Sequence, residues 1–254
     1  EVVVVPVNAK IPEQLEYAEK LYDELKKAGV SAAVINAVTA SGLVVRQSER
    51  RFRDSYGAQP PHENTPKREL TADQAKALAL LVPNIAAKTY GAFLLHGVTG
   101  SGKTQVYIEA AAKTRRVGRI VIVLVPEIGL TWQLVANFKQ RFAEDIIVIH
   151  SQLSLAERGD AIERARMGQA GIIIGARSAL FAPVDNVGLI ILDEEQDNSY
   201  KQDETPRYHA RTVAGVLAKL HRATLVLGSA TPALETYALA QEGKLTYLSM
   251  QNRV

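Results

Sequence analysis

Hydrophobic positions follow two different rhythms along the chain. Residues 92–95, 120–125, 146–149, 172–174, 189–192 and 224–227 are nearly unbroken apolar runs, most of them rich in Ile, Val and Leu. Runs without polar alternation predict strands covered on both faces of a parallel sheet. Between them, residues 103–113, 131–142 and 155–167 mix apolar and charged positions at helical spacing. Strand and helix alternate, which predicts a doubly wound α/β domain with its ligand at the carboxyl ends of the strands.

The first 57 residues read differently. Residues 2–5 are all valine and predict a strand. Pro12 suits a first helical position, and residues 13–27 place Leu15, Ala18, Leu21, Tyr22 and Leu25 on one face before Gly29. Ser31 is a candidate cap for a second helix to about Ala40, closed by Gly42. Residues 43–47 and 50–53 then read as two short strands joined by a polar turn. Two short helices and a hairpin suit a partial winged-helix module, or a packing appendage without a ligand. A polar, proline-bearing stretch follows. The expected division is therefore a small module over 1–57, a linker over 58–66 and a large lobe over 67–254.

Composition narrows the partners. The 254 residues are 47% hydrophobic, enough for a buried core, and carry 30 Lys and Arg against 27 Asp and Glu. A net charge of +3 is compatible with nucleic acid without requiring it. There is no cysteine, so disulfides and thiolate metal sites within this chain are excluded, in keeping with a reducing, cytoplasmic setting. No apolar run is long enough to span a bilayer, and the short opening run lacks the basic flank of a signal peptide. The chain begins with Glu1 and stops at Val254, and is expected to be a piece of a longer one.

Three motifs carry the chemistry. Gly97-Val98-Thr99-Gly100-Ser101-Gly102-Lys103-Thr104 is a complete G-x-x-x-x-G-K-[ST] between an apolar strand and a helix. Its glycines let the backbone wrap a phosphate chain at a helix N-terminus. Lys103 is placed for the β- and γ-phosphates of ATP, and the Thr104 hydroxyl for Mg²⁺. Next, the run over 189–192 delivers Asp193 and Glu194 to a strand end, Asp193 for Mg²⁺ and Glu194 for the attacking water. Two acids after a strand are commonplace alone; downstream of a P-loop they read as catalytic. Third, Ser229 and Thr231 in Gly228-Ser229-Ala230-Thr231-Pro232 are candidates to relay the state of the γ-phosphate. Thr231 before Pro232 also reads as a helix cap.

Further residues are weaker candidates. Gln74 precedes the P-loop and suits an adenine edge, or a capping role beside Thr71. Residues 125–131, Arg177 and Ser178 suit a phosphate track. Tyr200, Lys201, Arg207, Tyr208 and Arg211 interleave bases with rings, as a single-strand binder needs, although an ordinary charged loop has the same composition.

P-loop, D-E-x-x box and S-A-T loop, in that order on α/β units, resemble the RecA-like first lobe of superfamily 2 helicases. Val125-Pro126-Glu127-Ile128-Gly129-Leu130-Thr131, Gly175-Ala176-Arg177-Ser178-Ala179-Leu180-Phe181-Ala182-Pro183, Ser199-Tyr200-Lys201-Gln202 and Arg207-Tyr208-His209-Ala210-Arg211 narrow this to a resemblance to the PriA family of replication-restart helicases. Residues 31–56 resemble the end of that family's winged-helix domain. The strand and helix over residues 1–30 are also similar to a tRNA-synthetase anticodon-binding domain. The resemblance implies an ATP- and Mg²⁺-dependent 3′→5′ DNA helicase acting on single-stranded and forked DNA with replication-restart and primosome proteins. It implies that residues 200–211 couple DNA to hydrolysis. It also implies a second lobe, outside this chain, bearing an arginine finger and cysteine-bound zinc. Gln196 and Pro206 depart from the family's His and Trp. Another superfamily 2 translocase and a non-hydrolysing DNA- or partner-binding module are the alternatives; a P-loop kinase leaves the S-A-T loop without a role.

Overall fold

The computed structural model describes residues 2–6, 33–34, 44–48, 69–126, 132–143, 145–151 and 153–254. The chain divides into two compact units, Glu1–Arg53 and Asp54–Val254. In the first, strand β1 (Val2–Pro6) pairs antiparallel with β2 (Val44–Ser48), in register from Val2 opposite Ser48 to Pro6 opposite Val44. The sequence paired residues 43–47 with 50–53 instead. The valine-rich opening strand, equal in length to β2, is the partner that the structure gives it. Ala33 and Val34 are helical, within the expected second helix. The first helix, the 50–53 strand, the 58–66 linker and residues 127–131 lie outside the described residues.

The second unit is a seven-stranded parallel sheet flanked by helices. Its elements are α1 (Ala72–Ala87), β3 (Gly91–Gly97), α2 (Lys103–Arg116), β4 (Ile120–Leu124), α3 (Trp132–Phe142), β5 (Ile146–Ile149), α4 (Leu155–Arg166), β6 (Ile172–Gly175) and β7 (Val187–Leu192). The two-residue strands β8 (Lys201–Gln202) and β9 (Tyr208–His209) follow, then α5 (Ala210–His221), β10 (Thr224–Ser229), α6 (Leu234–Gln241) and β11 (Thr246–Met250). The strand order is β11-β3-β10-β7-β4-β6-β5. The doubly wound α/β expectation is met. The predicted strands differ from these by a few end residues, the helix read from Thr231 begins at Leu234 as α6, and β11, α5 and the β8–β9 hairpin were not foreseen.

Both faces of the sheet are dry. Phe93, Leu95, Val121, Val123, Ile172 and Ile174 enter one core with Leu81, Ile85, Val106 and Phe138. Their neighbours Leu94, Ile122, Leu124, Ile173, Ile190 and Leu192 enter the other with Ala161, Ala214 and Ala218. Alternate side chains of a strand point to opposite faces, so unbroken apolar runs were needed. Each fully buried Leu or Ile contributes roughly 1.5–3 kcal/mol. At the amino edge, Arg119 donates to Arg222 O at 3.0 Å and to the Val187 and His221 carbonyls, which ties three connections together.

The register sets the carboxyl edge. Leu227 of β10 faces Leu192 of β7 and Leu94 of β3. The turns that follow these three strands are therefore side by side. The edge is also tight. A Cβ built on Gly228 would lie 1.7 Å from Tyr107 Oη, the tip of a buried ring on α2. Gly228→Ala is expected to destabilise the lobe by about 1–3 kcal/mol through overpacking. Tyr107→Phe in the same chain removes the clashing oxygen and should recover part of that loss. Denaturant unfolding of the two single variants and the double variant reads the coupling.

Candidate nucleotide site and nucleic-acid face

The P-loop begins where β3 leaves the sheet. Gly100 and Gly102 hold φ of 83° and 80°, a region that glycine enters without a Cβ clash. A Cβ on Gly102 would lie 2.3 Å from Gln74 Nε2, and one on Gly97 2.6 Å from Ser101 Oγ. Gly102 then starts α2 with no side-chain cap, which leaves a helix N-terminus suited to an anion. Ser101 Oγ is buried inside the loop without a hydrogen-bond partner. An orphaned polar atom in a cradle of amides fits a phosphate oxygen. Val98, Thr99 and Gly100 are exposed at the loop's outer side, and Thr104 is half-buried in the first turn of α2.

Lys103 is buried, with its ammonium donating to Gly97 O at 2.8 Å and 3.8 Å from Glu194 Oε1. β7 brings the acids in from the next-but-one strand. Glu194 adopts a left-handed backbone, φ 46°, a conformation that costs a non-glycine residue about 1 kcal/mol or more. Asp193 is held on two sides. Tyr107 Oη donates to its Oδ1 at 2.9 Å, and Tyr200 Oη donates to its carbonyl at 2.6 Å. Burial raises the carboxyl pKa of Asp193, and the Tyr107 hydrogen bond opposes that rise. Burial also pushes the Tyr107 phenol well up, so it remains a donor.

The third motif joins the second through side chains. Gln196 Nε2 donates to Glu194 Oε2 at 2.9 Å, Ser229 Oγ donates to Gln196 Oε1 at 2.6 Å, and Thr231 N donates to Ser229 Oγ at 2.8 Å. The amide at 196 thus carries the link that its departure from the family's His put at issue. Thr231 is not a helix cap: α6 starts at Leu234, and the Ala233 amide donates to Glu195 Oε1 at 2.8 Å. A buried acid from the D-E-E run reaches that end of α6.

Gln74 forms the capping box with Thr71, accepting from its amide at 2.9 Å, and Nε2 donates to Gly102 O at 3.4 Å. Both ends of its amide group are engaged, so it braces the P-loop. The segment after β11 was missed altogether. Val98 N donates to Met250 O at 3.2 Å, Val254 N to Gly100 O at 2.9 Å, and Asn252 Nδ2 to Asp73 Oδ2 at 3.1 Å. The chain therefore lies along the P-loop, a register no local pattern carries.

The expected nucleic-acid residues separate into two sets. Tyr200 is fully buried, so its ring is not a stacking platform. Arg177 Nη1 donates to Ser199 O at 2.6 Å and Lys201 O at 3.0 Å, which directs it at the hairpin backbone rather than at solvent. Arg211 pairs with buried Glu195 at 2.7 Å. Ser178, Lys201 and Arg207 are exposed, with Lys201 near Asp203 at 2.8 Å. Tyr208 is half-buried, its ring edge-on to Phe181 at 5.3 Å. Arg177, Ser178 and Tyr208 line one groove of about 350 Å³ with Ser151, Arg158 and Gln202. Pro206, which follows a cis peptide, stands at its rim.

A profile of the DEAD/DEAH box helicase family matches residues 66–239. The chain belongs to the DEAD/DEAH box helicases. A profile of the anticodon binding domain matches residues 1–50, in line with the weaker likeness read from the opening strand and helix. The helicase chain is similar to replication restart protein PriA of Bacillus subtilis, 44% identical over 90% of this chain and 28% of that one. PriA of Chlamydia pneumoniae is 44% identical over 98% and 31%, and PriA of Haemophilus influenzae 40% over 97% and 34%. The helicase chain thus spans about a third or less of these relatives. RecG bound to a three-way DNA junction shares its fold, with a TM-score of 0.55 at 21% identity, covering 75% of this chain and 25% of that one. Among the described residues no helix is long and apolar enough to cross a membrane, and no group of three His, Cys, Asp or Glu gathers as for a metal ion.

One histidine is expected to make the hairpin junction pH-sensitive. His209 caps α5, its Nδ1 accepting from Arg211 N at 3.2 Å. Burial lowers its pKa, and the Arg211 charge adds to this. A cap that must stay neutral contributes stability above the unfolded-state value near 6.5 and loses it as pH falls through the folded value. His150, lowered by burial, acts in the same direction. Unfolding free energy is expected to fall between pH 7 and pH 5. His209→Asn, a cap that does not titrate, should flatten that slope in urea melts at each pH.

Proposed function

We propose that this chain is the first lobe of an ATP-driven DNA motor, with 3′→5′ helicase activity at stalled replication forks. The observation that carries this reading is the continuous hydrogen-bond path Glu194–Gln196–Ser229–Thr231. A simple triphosphate-binding fold has no use for such a path. A motor does, because the γ-phosphate state must leave the site. Lys103 and the P-loop amides would hold the phosphates; Thr104 and Asp193 would hold Mg²⁺. When bound, the ion neutralises charge on phosphate oxygens. Glu194 orients the attacking water and accepts its proton, with Lys103 and Gln196 setting its carboxylate. Tyr107 and Tyr200 hold Asp193 in place.

Residue chemistry favours a single strand along the groove beside the β8–β9 hairpin. Within the groove, Arg158 and Arg177 supply charge, Tyr208 ring surface and Ser178 a hydroxyl; Lys201, Arg207 and Phe181 are exposed nearby. The PriA relatives support DNA as the partner and replication restart as the setting; primosome proteins and a cytoplasmic location belong to the same proposal. A motor needs an opposing lobe to supply an arginine finger, worth 10³–10⁵ in rate in phosphoryl transfer, so turnover is expected from the full-length protein.

Lys103→Ala is expected to cut DNA-stimulated ATP hydrolysis of the full-length protein by roughly 100-fold or more. Phosphate release is measured with and without single-stranded and forked DNA. Stimulated hydrolysis at the parent rate in that variant would sink the motor reading. Stable DNA binding by the parent protein without any turnover would point instead to a binding module.

A further inference from the structure

Glu195 is the acid of the D-E-E run that the hydrolytic reading does not use. It has no solvent exposure. Its Oε2 accepts from Arg211 Nη1 at 2.7 Å and from Thr236 Oγ1 at 2.8 Å, and its Oε1 accepts from Ala233 N at 2.8 Å. Arg211 Nη1 also donates to Thr236 Oγ1 at 2.6 Å. The Glu195 amide donates to Gly228 O at 3.0 Å. One buried residue therefore gathers the acidic box, the end of β10, the start of α5 and the start of α6, the first two through its backbone and the last two through its carboxylate.

A buried ion pair is a poor device for stability, because an apolar replacement of similar volume is often neutral or better. What it does well is fix relative position, since each short bond leaves little play. The positions fixed here are the ones a motor must couple. Arg211 lies two residues past the β8–β9 hairpin, where Gln202 and Tyr208 line the groove and Lys201 and Arg207 are exposed. Glu195 is one peptide unit from Glu194. Ala233 lies two residues beyond Thr231, at the other end of the Glu194–Gln196–Ser229 path.

Resting on the motor reading, we propose that Glu195 is a positioning residue that carries displacement of the hairpin, through Arg211 and Thr236, to Glu194 and the S-A-T loop. It touches neither nucleotide nor nucleic acid. Its effect is on the ratio of DNA-stimulated to basal hydrolysis. Two routes then leave the acidic box: one through half-buried Gln196 to Ser229, and one through fully buried Glu195.

Thr236 allows a test that leaves the charge pair standing. In the full-length protein, Thr236→Val removes the bridging hydroxyl at almost constant volume. The basal rate and the affinity for a labelled single strand, read by fluorescence anisotropy, should be unchanged. The stimulated kcat should fall about five- to tenfold. Thr236→Ser restores the hydroxyl and should restore stimulation. Glu195→Gln, checked for fold by circular dichroism and thermal melting, should lose at least as much stimulation. Parent-like stimulation in Thr236→Val overturns the inference and leaves the motor reading intact. An equal drop in basal and stimulated rates also overturns it, since that marks general damage. A parent protein indifferent to DNA overturns the motor reading and this inference together.

Discussion

The site depends on one constraint, the parallel register of β3, β10 and β7. A sheet buried on both faces satisfies its backbone groups internally and releases its loops only at the edges. With Leu94, Leu227 and Leu192 in line across three neighbouring strands, the P-loop, the S-A-T loop and the acids emerge at one level. Tyr107 and Asp193, 86 positions apart in sequence, and Gln196 and Ser229, 33 apart, then meet within hydrogen-bond range. A slip of one residue in β10 would turn Ser229 away from Gln196 and bring a side chain against Tyr107 where Gly228 now gives way.

Two buried tyrosines convert that coincidence of levels into a rigid site. Tyr107 comes from the helix that the P-loop begins, and Tyr200 from the segment leading into the hairpin. Their hydroxyls hold Asp193 by side chain and by main chain. Both rings are fully buried, so each phenol needs a polar partner, and Asp193 is that partner for both. Asp193 thus reports on the nucleotide side and on the hairpin side at once.

Much of this was legible in the sequence, for a physical reason. Unbroken apolar runs have few structural outcomes, so six of the seven strands of the parallel sheet could be read to within a few residues, and the P-loop and acids could be placed at their ends. Side-chain roles at the edge were less legible. Tyr200 and Arg211 look like nucleic-acid residues because rings and guanidinium groups are the chemistry of strand binding. Nothing local distinguishes a ring that stacks on a base from one that packs under a strand. Arg177 has the same ambiguity, since carbonyls and phosphates both accept from guanidinium. Gln74 was read both ways, and the capping alternative describes its contacts. Glu195, Thr236 and the path from Met250 to Val254 carry no local signal, because their meaning lies in partners 16 to 179 positions away. Gly228 was visible only as a member of the S-A-T run, whereas its constraint comes from Tyr107 on another helix.

On the proposed motor reading, the separation of the basic aromatic segment into buried and exposed members is the feature that would turn a binding surface into a coupled one. Lys201 and Arg207 reach solvent, while Tyr200 and Arg211, at either end of the same hairpin, are anchored beneath it. Arg177 adds a third anchor by gripping the carbonyls of Ser199 and Lys201. A hairpin tied only to itself would absorb a ligand's push by local bending. One whose ends hold Asp193 and Glu195 cannot move without moving the carboxylates beside Lys103. Pro206 is exposed and lines the groove, so that departure from the family falls on the proposed binding face and leaves the buried connection to the acids in place.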